Sequence, residues 1–216
     1  MSRDDPPASA TRLRSAALVG NPNAGKSALF NALTGARQKI ANYPGVTVER
    51  KAGRLALPFK DGRGDSVELL ALPGSYSFAA ASPDEAVTRD VVSGEFQGER
   101  APDVLVIVLD AANLEQHLVF AQEVLELGRP TVVALNMIDL AERDGLTLDP
   151  EALSEALGVP VIPTVAVRRK GLAELTAAIA EAGGSSRLMP GLLRRRFRFR
   201  WRRHGRGAGP RSSAPP

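Results

Sequence analysis

Eight residues constrain this chain more than any others: GNPNAGKS, Gly20–Ser27. They fit the pattern G-x-x-x-x-G-K-[ST], and the flanks are those the pattern needs. The apolar run AALVG (Ala16–Gly20) leads in, and a helix-forming segment near Lys26–Thr34 leads out. Such a loop binds phosphate because glycine lets successive backbone N–H groups wrap the oxygens, and the helix behind adds its positive dipole end. Lys26 would reach the β- and γ-phosphates of a nucleotide, and the Ser27 hydroxyl would ligate Mg²⁺.

The remaining sequence alternates strand and helix signals. Gly35–Thr47 reads as a loop. ERKAGRLALPF and SVELLAL flank the turn-rich KDGRGD (Lys60–Asp65), which predicts a hairpin. SPDE (Ser82–Glu85) predicts a helix start, with Ser82 as cap, Pro83 in the first helical position and Glu85 completing a capping box. DVLVIVLDAA is apolar on both faces, the mark of a buried central strand. Leu114, Leu118, Ala121 and Leu125 then keep helical spacing. PTVVALNMID and VPVIPTVAV read as further strands, and GLAELTAAIAEA as a closing amphipathic helix. Alternation of this kind implies a mostly parallel sheet covered on both faces.

Composition narrows the function. At 216 residues the chain suits one domain with tails. The absence of cysteine excludes disulfides, thiolate metal sites and a cysteine nucleophile, and fits a cytoplasmic location. Its apolar runs, such as VLVIVL (Val104–Leu109), fall far short of the ~20 residues of a membrane span. The pI of 9.8 invites a nucleic-acid reading, but ten of the 28 basic residues are arginines from Arg187 onward, and no Asp or Glu follows Glu181. Without them 18 basic residues face 24 acidic ones, so the body is acidic and only the tail is basic. We therefore expect a disordered lead over 1–14, one domain over 15–182, and a disordered Arg-rich tail over 183–216. The abrupt change of composition is what a shifted reading frame or truncation in a GC-rich gene yields. That reading is preferred over a nucleic-acid or membrane arm built on FRFRWRR.

Two further motifs point to the base. LNMID (Leu135–Asp139) ends a strand with N-x-x-D. Asn136 would bond the keto edge of a guanine, beside Met137, while the Asp139 carboxylate would accept from the ring N–H and exocyclic amine. Adenine offers no such donor pair, so the site selects guanine. In PTVAVRRKGL the pair Val165-Ala166 stands where a backbone N–H could meet the guanine oxygen. His117 and His204 build no recognisable iron site and read as a helix-surface residue and a tail residue.

Together, GNPNAGKSALFNALTG, NYPGVTVERKAG, LPGSYSF, SPDEAVTRDVVSGE, PDVLVIVLDAANLEQHL and ALNMIDLAE resemble the cytosolic G domain of FeoB, the bacterial ferrous iron transport protein B, over roughly Ser15–Glu181. A ribosome-assembly GTPase of the Era or Der type is the nearest alternative, but those read PNVGKS and PGTTRD where this chain has PNAGKS and PGVTVE. The resemblance implies an α/β, three-layer P-loop GTPase (Ras-like) fold, with one antiparallel edge hairpin on a mostly parallel sheet. It implies GTP or GDP as ligand with Mg²⁺ and K⁺ as cofactors. The nucleotide would lie on Gly20, Asn21, Pro22, Asn23, Ala24, Gly25, Lys26, Ser27 and Ala28, on Gly45, Val46 and Thr47 of switch I, and on Leu72, Pro73 and Gly74 of switch II. Thr47 would complete the Mg²⁺ shell, Asn23 would help hold K⁺, and Lys26, Asn23, Thr47 and Gly74 would serve hydrolysis. It further implies a membrane permease continuing the same chain in relatives of the bacterial inner membrane, this domain on the cytoplasmic side, with room for a homo-oligomer.

One position departs from the family pattern D-L-P-G: this chain reads Ala71-Leu72-Pro73-Gly74. The missing Asp normally supports the Mg²⁺ shell. Glu68, three residues upstream, points to the opposite face of a strand and cannot replace it. No side chain is an obvious base, since Ser75 follows Gly74 where Ras-like enzymes place a Gln. The expectation is retained guanine binding, weakened Mg²⁺ dependence and slow, K⁺-stimulated hydrolysis, or binding without turnover.

Overall fold

The computed structural model describes residues 13–58, 66–79 and 82–184. Seven strands among them form one sheet: β1 (Ser15–Val19), β2 (Gln38–Asn42), β3 (Glu49–Ala56), β4 (Ser66–Ala71), β5 (Val104–Asp110), β6 (Thr131–Asn136) and β7 (Val161–Pro163). Their order across the sheet is β2-β3-β4-β1-β5-β6-β7. Strands β4, β1, β5, β6 and β7 run parallel, while β3 is antiparallel to both β4 and β2.

Six helices connect them: α1 (Lys26–Thr34), α2 (Pro83–Ser93), α3 (Leu114–Glu126), α4 (Ile138–Arg143), α5 (Pro150–Leu157) and α6 (Leu172–Gly184). The central strand β5 is buried along its whole length and shows how the layers form. Leu105, Ile107 and Leu109 pack under α2, α3, α4 and α5, whereas Val104, Val106 and Val108 pack under α1 and α6. A strand period of 2 thus serves two cores from one apolar run. The start of α2 follows its sequence: Ser82 Oγ accepts from the Glu85 N–H at 3.3 Å, and Pro83 occupies the first turn.

Two expectations need correction. The loop expected over Gly35–Thr47 contains strand β2, all five residues of which are exposed. A short edge strand with no buried face has no hydrophobic alternation to betray it. His117 lies on the inner side of α3, buried to 5% exposure, where its Nδ1 accepts from the Asp110 N–H at 3.3 Å. Burial also holds its imidazole below the ordinary pKa, so it is neutral at pH 7. His204, the turn Lys60–Asp65 and the Arg-rich tail from 185 lie outside the described residues.

Candidate nucleotide site

Because β1 is a central strand, its exit places the loop Gly20–Gly25 at the carboxyl ends of the parallel strands, the edge at which open α/β sheets bind ligands. The loop leads straight into α1. Asn23 and Gly25 adopt positive φ, 64° and 85°. At Gly25 no other residue fits, since a Cβ would collide with the Asn136 amide and press on Met137 Cε. Lys26 turns back over the loop and donates to the carbonyls of Gly20 and Asn21, both at 2.8 Å. Burial pushes its pKa down to about 8.

A cleft of about 640 Å³ opens above this loop. Pro22, Asn23, Gly25, Lys26, Ser27 and Ala28 form its floor; Ala71, Leu72, Pro73 and Gly74 form one wall. Gly74 lies so close to the Pro22 backbone that a side chain would not fit, and Ser75 N–H donates to the Gly20 carbonyl at 3.2 Å. The exit of β4 is thereby pinned to the phosphate loop. Ser75 itself is fully buried, with its Oγ donating to Ser77 O at 2.9 Å.

The structure brings some expected residues together and leaves others apart. Gly20, Asn21 and Ala24 stand behind the floor rather than in it. Gly45, Val46 and Thr47 are exposed in the turn Tyr43–Val48, which is closed by Tyr43 N–H on Val48 O at 2.9 Å, and they do not line the cleft. Glu49, Lys51 and Asp84 do line it, none of them singled out from sequence. Glu68 faces away and pairs with Arg50 at 3.4 Å, as its strand position requires.

The base corner is built on Asn136. Its Nδ2 donates to Ala24 O at 3.1 Å, and its Oδ1 accepts from Ala166 N–H at 3.1 Å and Thr164 Oγ1 at 3.3 Å. One buried amide therefore ties the phosphate loop, the end of β6 and the loop after β7 into one unit. Met137, at φ 60°, turns the chain into α4, whose first turn carries Asp139. Arg168 approaches Asp139 at 3.7 Å. The two amides expected to meet the guanine oxygen are already engaged: Val165 N–H donates to Lys170 O and Ala166 N–H to Asn136. The next residue, Val167, is 81% exposed in the turn Ala166–Arg168.

For cations the donors are few. Ser27 is the hydroxyl at the head of α1, position 71 carries only a methyl, and no cluster of three or more His, Cys, Asp or Glu side chains exists among the described residues. That set fits a Mg²⁺ ion taking most of its ligands from phosphate and water. Asn23 offers a hard amide oxygen at the cleft, suited to K⁺.

Residues 14–179 match the family model of the ferrous iron transport protein B N-terminal domain. The chain belongs to the ferrous iron transport protein B family. It is 44% identical over 162 residues to the Fe(2+) transporter FeoB of Salmonella typhimurium, a match covering 75% of this chain and 20% of that protein. It thus spans about a fifth of the length of such curated FeoB relatives. Two solved FeoB structures share the fold. A mutant S. thermophilus NFeoB bound to GDP is 38% identical, with a TM-score of 0.69 over 80% of this chain and 63% of that one. The cytosolic domain of T. maritima FeoB in its GMPPNP form is 38% identical, with a TM-score of 0.72 over 81% of this chain and 65% of that one. No helix among the described residues of this FeoB-family chain is long and apolar enough to cross a membrane.

Proposed function

We propose that this chain binds GTP and GDP with Mg²⁺, hydrolyses GTP slowly with stimulation by K⁺, and is the regulatory domain of a ferrous iron transporter on the cytoplasmic side of the bacterial inner membrane. The permease would be the partner that full-length relatives carry in the same chain. The observation that carries this reading is the Asn136 junction, which ties the loop Gly20–Gly25 to the N-x-x-D segment that would read guanine. The GDP and GMPPNP forms of the two relatives support it.

The loop amides and Lys26 would hold the phosphates, and Ser27 the Mg²⁺. Thr47 would join that shell after the Tyr43–Val48 turn swings inward. Asn23 would hold K⁺. At the base, Asp139 and the second Nδ2 hydrogen of Asn136 would read guanine, with the Val167 N–H on its keto oxygen. Hydrolysis is slow because Ala71 gives no carboxylate to the metal shell and the buried Ser75 hydroxyl cannot orient water.

The test is single-turnover GTP hydrolysis in KCl and in NaCl, for the native chain and for Ala71→Asp. The native chain should turn over slowly and faster in K⁺, and the stimulation should vanish in Asn23→Ala. Ala71→Asp should gain about 10–100-fold, the usual worth of a carboxylate supporting a metal shell. Equal rates for native and Ala71→Asp would remove position 71 from the account. Failure to bind any guanine nucleotide would remove the whole reading.

A further inference from the structure

Lys51 and Ala71 are direct partners across the antiparallel pair of β3 and β4, so their side chains share one face, and both line the cleft that holds Lys26 and Ser27. A carboxylate at position 71 would meet the Lys51 ammonium there. With a methyl at 71, the ammonium pairs instead with Glu49, two residues earlier on the same face of β3, at 3.1 Å. That pair is half-exposed, with Lys51 at 36% and Glu49 at 48%, so it is weak and easily exchanged for a more highly charged anion.

We infer that Lys51 is a second phosphate-binding cation in this chain, supplying from β3 charge that the missing carboxylate would otherwise gather through Mg²⁺. The inference rests on the proposed guanine-nucleotide reading and deepens it. A lysine acts on phosphate as a compact point charge on a flexible four-carbon stem, which suits a residue reaching across a cleft. Two lysines, Lys26 from the floor and Lys51 from the wall, then neutralise the phosphates, and nucleotide affinity depends little on a divalent ion. Restoring an acid at 71 would recapture Lys51 and return that dependence.

The experiment measures the affinity of a fluorescent GDP analogue in MgCl₂ and in excess EDTA. It compares the native chain with Lys51→Met, Lys51→Arg and Ala71→Asp, each checked by its melting curve. The native chain should lose no more than about 3-fold on chelation. Lys51→Met should lose about 10-fold or more in EDTA, the worth of one charge-assisted contact, while Lys51→Arg keeps native affinity. Ala71→Asp should bind as the native chain in Mg²⁺ and weakly in EDTA. A folded Lys51→Met that binds in EDTA as tightly as the native chain overturns the role of Lys51 and leaves guanine binding intact. A native chain that binds no GDP overturns the underlying reading, and this one with it.

Discussion

Lys26 donates to two loop carbonyls at 2.8 Å and is buried enough that its pKa falls to about 8. An unfolded lysine titrates near 10.4, so between about pH 8 and 10.4 the unfolded chain holds more of this proton than the folded one. In that window the nucleotide-free fold gains stability from this group as pH rises. A bound phosphate reverses the balance by favouring the ammonium. Nucleotide binding should therefore take up a fraction of a proton at pH 8.5 and none through Lys26 at pH 6.5. Calorimetry in buffers of different ionisation enthalpy reads this directly, and Lys26→Met should abolish the uptake. The places of Lys26 and Ser27 at the cleft, of Asn136 at the end of β6 and of Asp139 in the first turn of α4 are legible in the sequence because each follows from spacing within one short motif. Lys51 is not, because its place depends on strand pairing. Nor are the acceptors of the Val165 and Ala166 amides, since that of Ala166 is a side chain thirty residues away in sequence.

Among the elements, buried strands declare themselves and exposed ones do not. Strands β5 and β6 are apolar on both faces and stand where the sequence places them. Strand β2 has no buried face and so carries no strand pattern, and the last strand is only three residues long because the chain leaves the sheet to serve Asn136. The hairpin is legible but its register is not. A turn centred on Lys60–Asp65 would set Lys51 opposite Gly74, whereas the sheet pairs it with Ala71. Strand β3 is also clamped from outside the sheet. Arg50 grips Glu99 in the segment between α2 and β5 with two bonds of 2.7 and 2.8 Å, in a setting where the two side chains are only 21% and 13% exposed. Fork-to-fork pairs of this kind are stronger and more rigid than exposed ion pairs. Arg50→Met should cost about 2 kcal/mol and, at about 2–4 °C per kcal/mol for a domain of this size, lower Tm by roughly 4–8 °C. Thermal unfolding followed by circular dichroism checks it, and a shift below about 1 °C would show that the clamp does not bear on stability.

At the scale of the molecule, the cleft and the point where the described chain ends lie at opposite ends of β1. The phosphate loop leaves the carboxyl end of that strand at Gly20, while Gly183 near the end of α6 packs on Leu13 just before its amino end. Strand β1 has five residues and is about 17 Å long. Helix α6 meanwhile fills its side of the core with its own Leu172, Leu175, Ala178 and Ile179. The described contacts of the site all come from residues before 185, so the ten arginines from Arg187 onward are expected to set the whole molecule's charge rather than the affinity of the site. Deleting 185–216 should leave GDP affinity within about 2-fold at physiological salt, and leave unchanged the stabilisation by saturating GDP, about 2.7 kcal/mol at a hundredfold excess over Kd. It should also turn the chain from net basic to net acidic, from +4 to −6, and abolish retention on a polyanionic resin. Titrations at 50 and 500 mM KCl on both lengths of chain distinguish the cases. A several-fold loss of GDP affinity in the shortened chain at both salt concentrations would mean that the arginines reach the cleft.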